Sequence, residues 1–75
     1  MLTIFAFLEE LKKRHIYFKL DTDREETVMV MVFVPGQYWE CEFFEDGHLE
    51  VEIYKSDGKI LGEEALKTLY ADFSD

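Results

Sequence analysis

The sequence predicts an α+β fold: a two-layer sandwich in which a four-stranded antiparallel meander carries an N-terminal and a C-terminal helix on one face (α-β-β-β-β-α). Three observations predict it. Stretches with strand-like patterns follow one another in the middle of the chain, turn residues such as Pro35-Gly36 and Asp46-Gly47 separate them, and apolar residues at helical spacing lie before and after. A length of 75 residues allows one domain, residues 1–75.

The first helix is predicted to begin after Thr3, whose side chain can cap it, and to end near Arg14. Glu10 and Arg14 are spaced for an ion pair on the solvent-exposed side of this helix. Phe5 lies off the apolar stripe, where it either covers the edge of the core, which we expect, or is available to a partner. The stripe itself comprises Ile4, Phe7, Leu8, Leu11 and His15.

Residues 16–20 alternate between apolar and polar side chains and predict the first strand. The loop that follows has acidic residues at alternate positions, as at the start of a calcium-binding loop. Its sixth position is Glu26, where a calcium loop of that kind requires glycine, so a solvated hairpin loop is the better interpretation. The acidic residues in question are Asp21, Asp23 and Glu25.

Residues 27–34 are apolar on both faces, which is typical of a central strand. A two-residue loop at Pro35-Gly36 would pair Val34 with Gln37 in the next strand. That register gives the core face Val28, Val30, Val32, Trp39, Cys41 and Phe43, and it gives the outer face Met29, Met31, Phe33, Tyr38, Glu40 and Glu42.

Residues 37–55 predict a further hairpin, in which Gly47 takes the left-handed position of a three-residue loop. Matching the apolar residues pairs Phe43 with Leu49, Cys41 with Val51 and Trp39 with Ile53. The same register places Glu42 opposite Glu50, Glu40 opposite Glu52 and Tyr38 opposite Tyr54. The two hairpins are registered independently and assign the strand they share to the same two faces.

After a predicted turn at Ser56-Asp57-Gly58, residues 62–72 predict the second helix. Glu63 and Glu64 suit the positive N-terminal end of its dipole. Both helices are too short to persist in isolation, so they must lie on the sheet. The apolar stripe of the second helix comprises Leu61, Ala65, Leu66, Leu69, Tyr70 and Phe73.

The outer face of the sheet is predicted to remain open and to mix aromatic residues and methionines with carboxylates, a composition typical of protein interfaces. We name its four glutamates, Glu40, Glu42, Glu50 and Glu52, the carboxylate square. Like charges directly opposite one another destabilise a sheet, so the square is either tolerated because water solvates it or retained because something positively charged docks on it. Tyr17 and Lys19 share the face. The predicted partner-binding residues are Glu40, Glu42, Glu50, Glu52, Tyr38, Tyr54, Met29, Met31, Phe33, Phe44 and His48.

Seventeen acidic and eight basic residues give a net charge of −9, which repels nucleic acid and anionic membranes and favours a cationic partner. Solubility is the alternative explanation of this charge. The single cysteine, Cys41, cannot form an internal disulfide and is expected in the core. The chain starts without the positive region of a secretory signal and has no stretch as long as a membrane span, so a cytoplasmic location is expected.

The sequence predicts no enzyme, cofactor or metal site. His15 is expected on the core stripe of the first helix and His48 at a hairpin end, and neither has a cysteine or serine companion that would make a nucleophile. The carboxylate square could in principle bind a hard cation or act as an acid and base pair. A flat, open sheet gives water free access and little preorganisation, which argues against both uses.

Residues 34–70 (VPGQYWECEFFEDGHLEVEIYKSDGKILGEEALKTLY) resemble small acidic bacterial proteins, largely uncharacterised, that are encoded beside polymorphic, Rhs-type toxin genes and look like immunity proteins. The resemblance implies an immunity or inhibitor protein that neutralises a cognate basic, nuclease-like toxin through the open sheet face. Two alternatives remain: a nucleic-acid mimic that inhibits a DNA- or RNA-binding complex, and a structural homodimer. The matching residues are Pro35, Gly36, Trp39, Glu40, Glu42, Phe43, Phe44, Glu45, Asp46, Gly47, Glu50, Glu52, Ser56, Asp57, Gly58, Glu63 and Glu64.

Overall fold

A computed structural model describes residues 3–54 and 60–73 and has the predicted α+β arrangement. The strands follow sequence order in one antiparallel sheet. The helix, four-strand meander and helix are confirmed, and a two-residue strand, Ile60–Leu61, adds to the sheet beside the fourth strand. The predicted turn at residues 56–58 lies outside the described residues. The elements are α1 (Ile4–Lys13), β1 (Tyr17–Asp21), β2 (Thr27–Val34), β3 (Gln37–Phe44), β4 (Leu49–Ile53), β5 (Ile60–Leu61) and α2 (Glu64–Phe73).

Helix α1 begins where the sequence predicts, because the Thr3 hydroxyl oxygen accepts a hydrogen bond from the backbone N–H of Ala6 at 3.1 Å. Its Phe7 and Leu11 are buried. The ion pair between Glu10 and Arg14 is also confirmed, at 2.7 Å. The cap and the pair both follow from spacing within the helix, which is why the sequence was sufficient to predict them.

Two predictions for this part of the chain were wrong. His15 is exposed and has a φ of 57°, so it is not on the buried stripe. The helix ends at Lys13, and beyond that point the helical period no longer decides which way a side chain faces. Phe5 does not cover the core edge, because 77% of it is exposed. The helix buries only one stripe, and Phe5 lies on its other side.

Both hairpin registers are confirmed. Val34 pairs with Gln37 across the Pro35-Gly36 turn, where Gly36 has a φ of 78°. Phe43 pairs with Leu49 in the next hairpin. Gly47 has a φ of 95°, as the three-residue loop requires. The tight turns and the period of two therefore position every residue of β2, β3 and β4 on its predicted face.

The core is one cluster that joins both helices to one face of the sheet. The Trp39 indole N–H donates a hydrogen bond to the Gln37 side-chain oxygen at 2.8 Å, which satisfies its polar atom. Burial raises the pKa of the Cys41 thiol to about 12, so it is a protonated core residue at neutral pH. The Leu61 and Phe73 side chains lie outside the described part. The buried cluster comprises Phe7, Leu11, Ile16, Val30, Val32, Val34, Trp39, Cys41, Val51, Ala65, Leu66 and Leu69.

Helices α1 and α2 have ten residues each. Within the described ranges, neither combines the length and the apolar character that crossing a membrane requires. Their apolar stripes are instead directed at the sheet, so the opposite face of the sheet is the one that remains for a functional site.

Candidate functional site

One row of aromatic side chains crosses the outer face of the sheet from β1 to the end of β4. We name Tyr17, Phe33, Tyr38 and Tyr54 the aromatic row. Strand register brings them together, and successive ring centroids lie 5.6, 5.2 and 5.4 Å apart. Tyr17 is 60% exposed, Phe33 39% and Tyr54 51%. The row is therefore a continuous aromatic surface that meets solvent.

The carboxylate square forms as predicted beside this row. Glu40 lies directly opposite Glu52, and Glu42 lies opposite Glu50. The four side chains do not share one environment, however. Glu42 is only 8% exposed, whereas the other three are half-buried. The expectation of a uniformly open square was therefore wrong at Glu42, because neighbouring side chains cover that corner.

Arg24 supplies the positive charge that the covered corner requires. It lies in the loop between β1 and β2, and its guanidinium nitrogen is 3.3 Å from the Glu42 carboxylate. A buried carboxylate needs such a partner, since an uncompensated buried charge costs several kcal/mol. The pairing of Arg24 with Glu42 was not predicted from the sequence. A lone arginine within an otherwise acidic loop was the signal that could have suggested it.

Tyrosine hydroxyls satisfy the other pair of the square. Tyr38 donates its hydroxyl to Glu40 at 2.9 Å. Tyr54 lies 3.1 Å from oxygens of both Glu40 and Glu52 and shares its proton between them. These donors draw negative charge away from two facing carboxylates, which explains how the sheet tolerates them.

The same contacts extend to higher pH the range in which both hydroxyls stay protonated. Hydrogen bonds to Glu40 and Glu52 raise the pKa of Tyr54 to about 12. Burial, followed by the hydrogen bond to Glu40, raises the pKa of Tyr38 well above its usual range. A tyrosine with its ordinary pKa of about 10 is already neutral at physiological pH, and the raised pKa keeps both hydroxyls available as donors into alkaline solution.

His48 lies at the opposite end of the square, where its ring stacks on Phe44 at a centroid distance of 3.9 Å. Its Nδ1 atom is 2.6 Å from the Asp46 carboxylate, and its Nε2 atom is 3.5 Å from that of Glu50. The hydrogen bond with Asp46, with a smaller contribution from Glu50, raises the pKa of His48. The Glu42 and Glu50 side of the square thus has two basic neighbours, Arg24 and His48.

The cavity enclosed by the square is small, at about 40 Å³. That is room for a group the size of a water molecule, whereas sites for organic ligands occupy roughly 300–1,000 Å³. Among the described residues, no group of three or more His, Cys, Asp or Glu side chains could hold a metal ion. The arrangement suits surface recognition better than enclosure of a ligand. The cavity is lined by Met29, Glu40, Glu42, Glu50, Val51 and Glu52.

All the predicted partner-binding positions fall on this outer face or at its ends, including the partly buried Met29 and Met31 on β2. Lys19, which is exposed, lies beside Met31 in the register. The structure brings these residues together, and their role in binding stays a prediction.

The chain matches no protein-family model, no curated protein and no solved structure. The resemblance of residues 34–70 to immunity proteins therefore stays a prediction.

Proposed function

We propose that this protein is a non-enzymatic binding protein that docks on a cationic protein through its outer sheet face, and that it is an immunity protein which neutralises a basic, nuclease-like toxin. One observation carries the proposal: the exposed aromatic row lies directly beside the glutamates of the carboxylate square on a single face. Aromatic anchors with a charged surround are characteristic of protein interfaces.

The two parts of this surface would contribute to binding differently. Burying exposed rings such as Tyr17, Phe33 and Tyr54 removes apolar surface from water and slows dissociation. The glutamates, together with the net charge of −9, attract a basic surface and speed the encounter. A partner that is basic and has apolar side chains would satisfy both parts.

A nuclease meets this description, because the surface with which it binds nucleic acid is basic. A glutamate-bearing face that covers such a surface would block the substrate. The resemblance to proteins encoded beside toxin genes favours the same class of partner. A homodimer through this face is disfavoured, because it would bring two carboxylate squares and two chains of charge −9 together.

The test is a protection assay in a bacterial host that produces the protein encoded by the adjacent gene. The variant is Glu40→Lys with Glu52→Lys. Its matched control is Glu9→Lys with Asp72→Lys, at exposed positions on the two helices. Each reversal adds two units of charge, so both doubles change the net charge from −9 to −5.

We expect the wild type and the helix control to protect the host, and the sheet double to fail while its circular dichroism spectrum stays native. Protection by the sheet double equal to that of the wild type would overturn the proposed surface.

An adjacent gene whose product is harmless would count against the immunity role. Capture of a nucleic-acid-binding protein without toxic activity would favour the nucleic-acid mimic. A monomer in sedimentation at micromolar concentration would exclude the homodimer.

A further inference from the structure

We infer that the partner presents an arginine side chain to the aromatic row, with its guanidinium against the Tyr54 ring and paired with Glu40 and Glu52. The inference rests on the proposed function, because it specifies the cation that the outer face recognises. A site of this kind would bind arginine in preference to lysine. A general attraction between opposite charges would not discriminate between the two.

The end of the aromatic row provides the flat surface. Tyr54 stacks on Tyr38, with ring planes 27° apart, yet half of Tyr54 remains exposed. Within residues 3–54 and 60–73, no further ring stacks on it. A guanidinium is planar, delocalised and weakly hydrated, so it lies on an aromatic ring at a lower desolvation cost than an ammonium.

The adjacent glutamates provide the acceptors. Each oxygen of Glu40 accepts one tyrosine proton, from Tyr38 at one oxygen and from Tyr54 at the other. A carboxylate oxygen has two lone pairs, so one acceptor position remains on each. A guanidinium donates two parallel N–H bonds and can therefore pair with the two oxygens of one carboxylate.

The tyrosine hydroxyls also order the side chains of Glu40 and Glu52 before a partner binds. Tyr54 is within 3.1 Å of both Glu40 and Glu52, so it restricts the rotamers of two side chains on neighbouring strands. Side chains that are already ordered lose less conformational entropy on binding. Tyr38 and Tyr54 therefore act as positioning residues as well as contact surface.

The distribution of the protein's own basic side chains also points to Glu40 and Glu52 as the carboxylates that a partner arginine would meet. Arg24 pairs with Glu42, and His48 lies near Glu50. Within the described residues, Glu40 and Glu52 have tyrosine donors and no ion pair with a basic side chain. Among the described residues, the glutamates of the square that form no ion pair therefore lie next to the exposed rings, and Arg24 demonstrates that a guanidinium pairs with a carboxylate on this face.

The test uses hexa-arginine and hexa-lysine peptides of equal charge, titrated into the full chain at low ionic strength and followed by NMR. We expect hexa-arginine to bind about fivefold more tightly and to shift the signals of Tyr54 and its neighbours. Glu40→Gln with Glu52→Gln should abolish the preference. Tyr38→Phe with Tyr54→Phe keeps the rings and should reduce it. Glu9→Gln with Asp72→Asn removes the same charge elsewhere and should leave it intact.

Equal affinity of the two peptides, both dependent on Glu40 and Glu52, would overturn the arginine inference and leave the proposed cationic docking face standing. An arginine preference that survives Glu40→Gln with Glu52→Gln would also overturn it, because the selective site would then lie elsewhere. If neither peptide shifted signals from the outer face, the charge complementarity behind the proposed function would fail together with the inference.

Discussion

Arg24 and Glu42 divide the outer face into two electrostatic halves. The Arg24 guanidinium lies 3.3 Å from the buried Glu42 carboxylate and neutralises that corner of the square. The pair formed by Glu40 and Glu52 has neutral tyrosine donors instead. In the described part of the chain, the face therefore has one half in which Arg24 pairs with a glutamate and another half in which the glutamates have tyrosine donors and no ion pair.

Arg24→Ala should destabilise the protein, because it leaves the Glu42 carboxylate buried without its cation. Most of the arginine side chain is exposed, so screening limits the loss of unfolding free energy to about 1–2 kcal/mol. Urea denaturation measures it. Glu25→Ala, in the same loop and exposed, is the control and should change stability by less than about 0.5 kcal/mol. Equal stability of Arg24→Ala and the wild type would show that Glu42 is solvated after all.

Tyr54→Phe should make the protein less sensitive to alkaline pH. The pKa of Tyr54 is raised from 10.0 to about 12, so the stabilisation that accompanies this shift is complete below pH 10 and is lost as the pH rises towards 12. Thermal unfolding across this range should therefore show a smaller loss of stability for the variant, with both proteins compared first at pH 8. In a spectrophotometric titration, Tyr54→Phe should have one fewer tyrosine that ionises well above pH 10 than the wild type has. A wild type whose tyrosines all ionise near pH 10 would contradict the hydrogen-bond network.

Asp46→Asn should lower the pKa of His48, because the Asp46 carboxylate is the main cause of its elevation. The raised pKa means that the contribution of protonated His48 to the stability of the turn is fully present below pH 6.5 and is lost as the pH rises through the folded-state value. The pKa of Asp46 is lowered in turn, so its contribution is present above pH 3.8 and is lost in stronger acid. NMR titration of the His48 ring measures the effect.

Glu45→Gln is the control for this titration, since Glu45 lies in the same loop and its backbone N–H bonds to Glu26 rather than to His48. A much smaller change in the His48 titration is expected for Glu45→Gln than for Asp46→Asn. Equal changes would indicate that general charge in the loop, rather than the 2.6 Å contact with Asp46, sets the protonation of His48.

Gly36→Ala should cost about 1 kcal/mol of unfolding free energy, because Gly36 has a φ of 78°, a conformation that favours glycine. A Cβ atom there meets no heavy atom within 4 Å, so the cost is conformational and not a steric clash. Gly36→Asn should cost less, since asparagine tolerates the left-handed region better. Chemical denaturation distinguishes the two. Identical losses for alanine and asparagine would assign the effect to something other than φ.

The hairpins were predictable because two local features constrain them together. A two-residue turn at Pro35-Gly36 sets the pairing of Val34 with Gln37, and the period of two then assigns every later position in both strands. Any slip by one residue would turn Trp39 and Cys41 out of the core. The sheet thus offered only one register that satisfies both turn geometry and burial.

The errors occurred where no repeating pattern operates. His15 follows the end of α1 and adopts a left-handed conformation, so extending the helical stripe to it was wrong. Phe5 is apolar but lies opposite the side of α1 that the sheet covers. Strand β5 consists only of Ile60–Leu61, too few residues for an alternation to be detected. In each case the path of the backbone, which no repeating pattern specifies, decided where these residues lie.

The sequence by itself determined which side chains share the outer face, because turn length and alternation leave one choice for each strand. Only the tertiary structure decided which of those side chains pair with one another and which partners they take from elsewhere in the chain. Arg24 reaches Glu42 from a loop 18 residues earlier in the chain, and Tyr54, just beyond the end of β4, reaches Glu40 on the neighbouring strand β3. Such contacts depend on the path of a loop and on side-chain rotamers, and the alternation of a strand specifies neither.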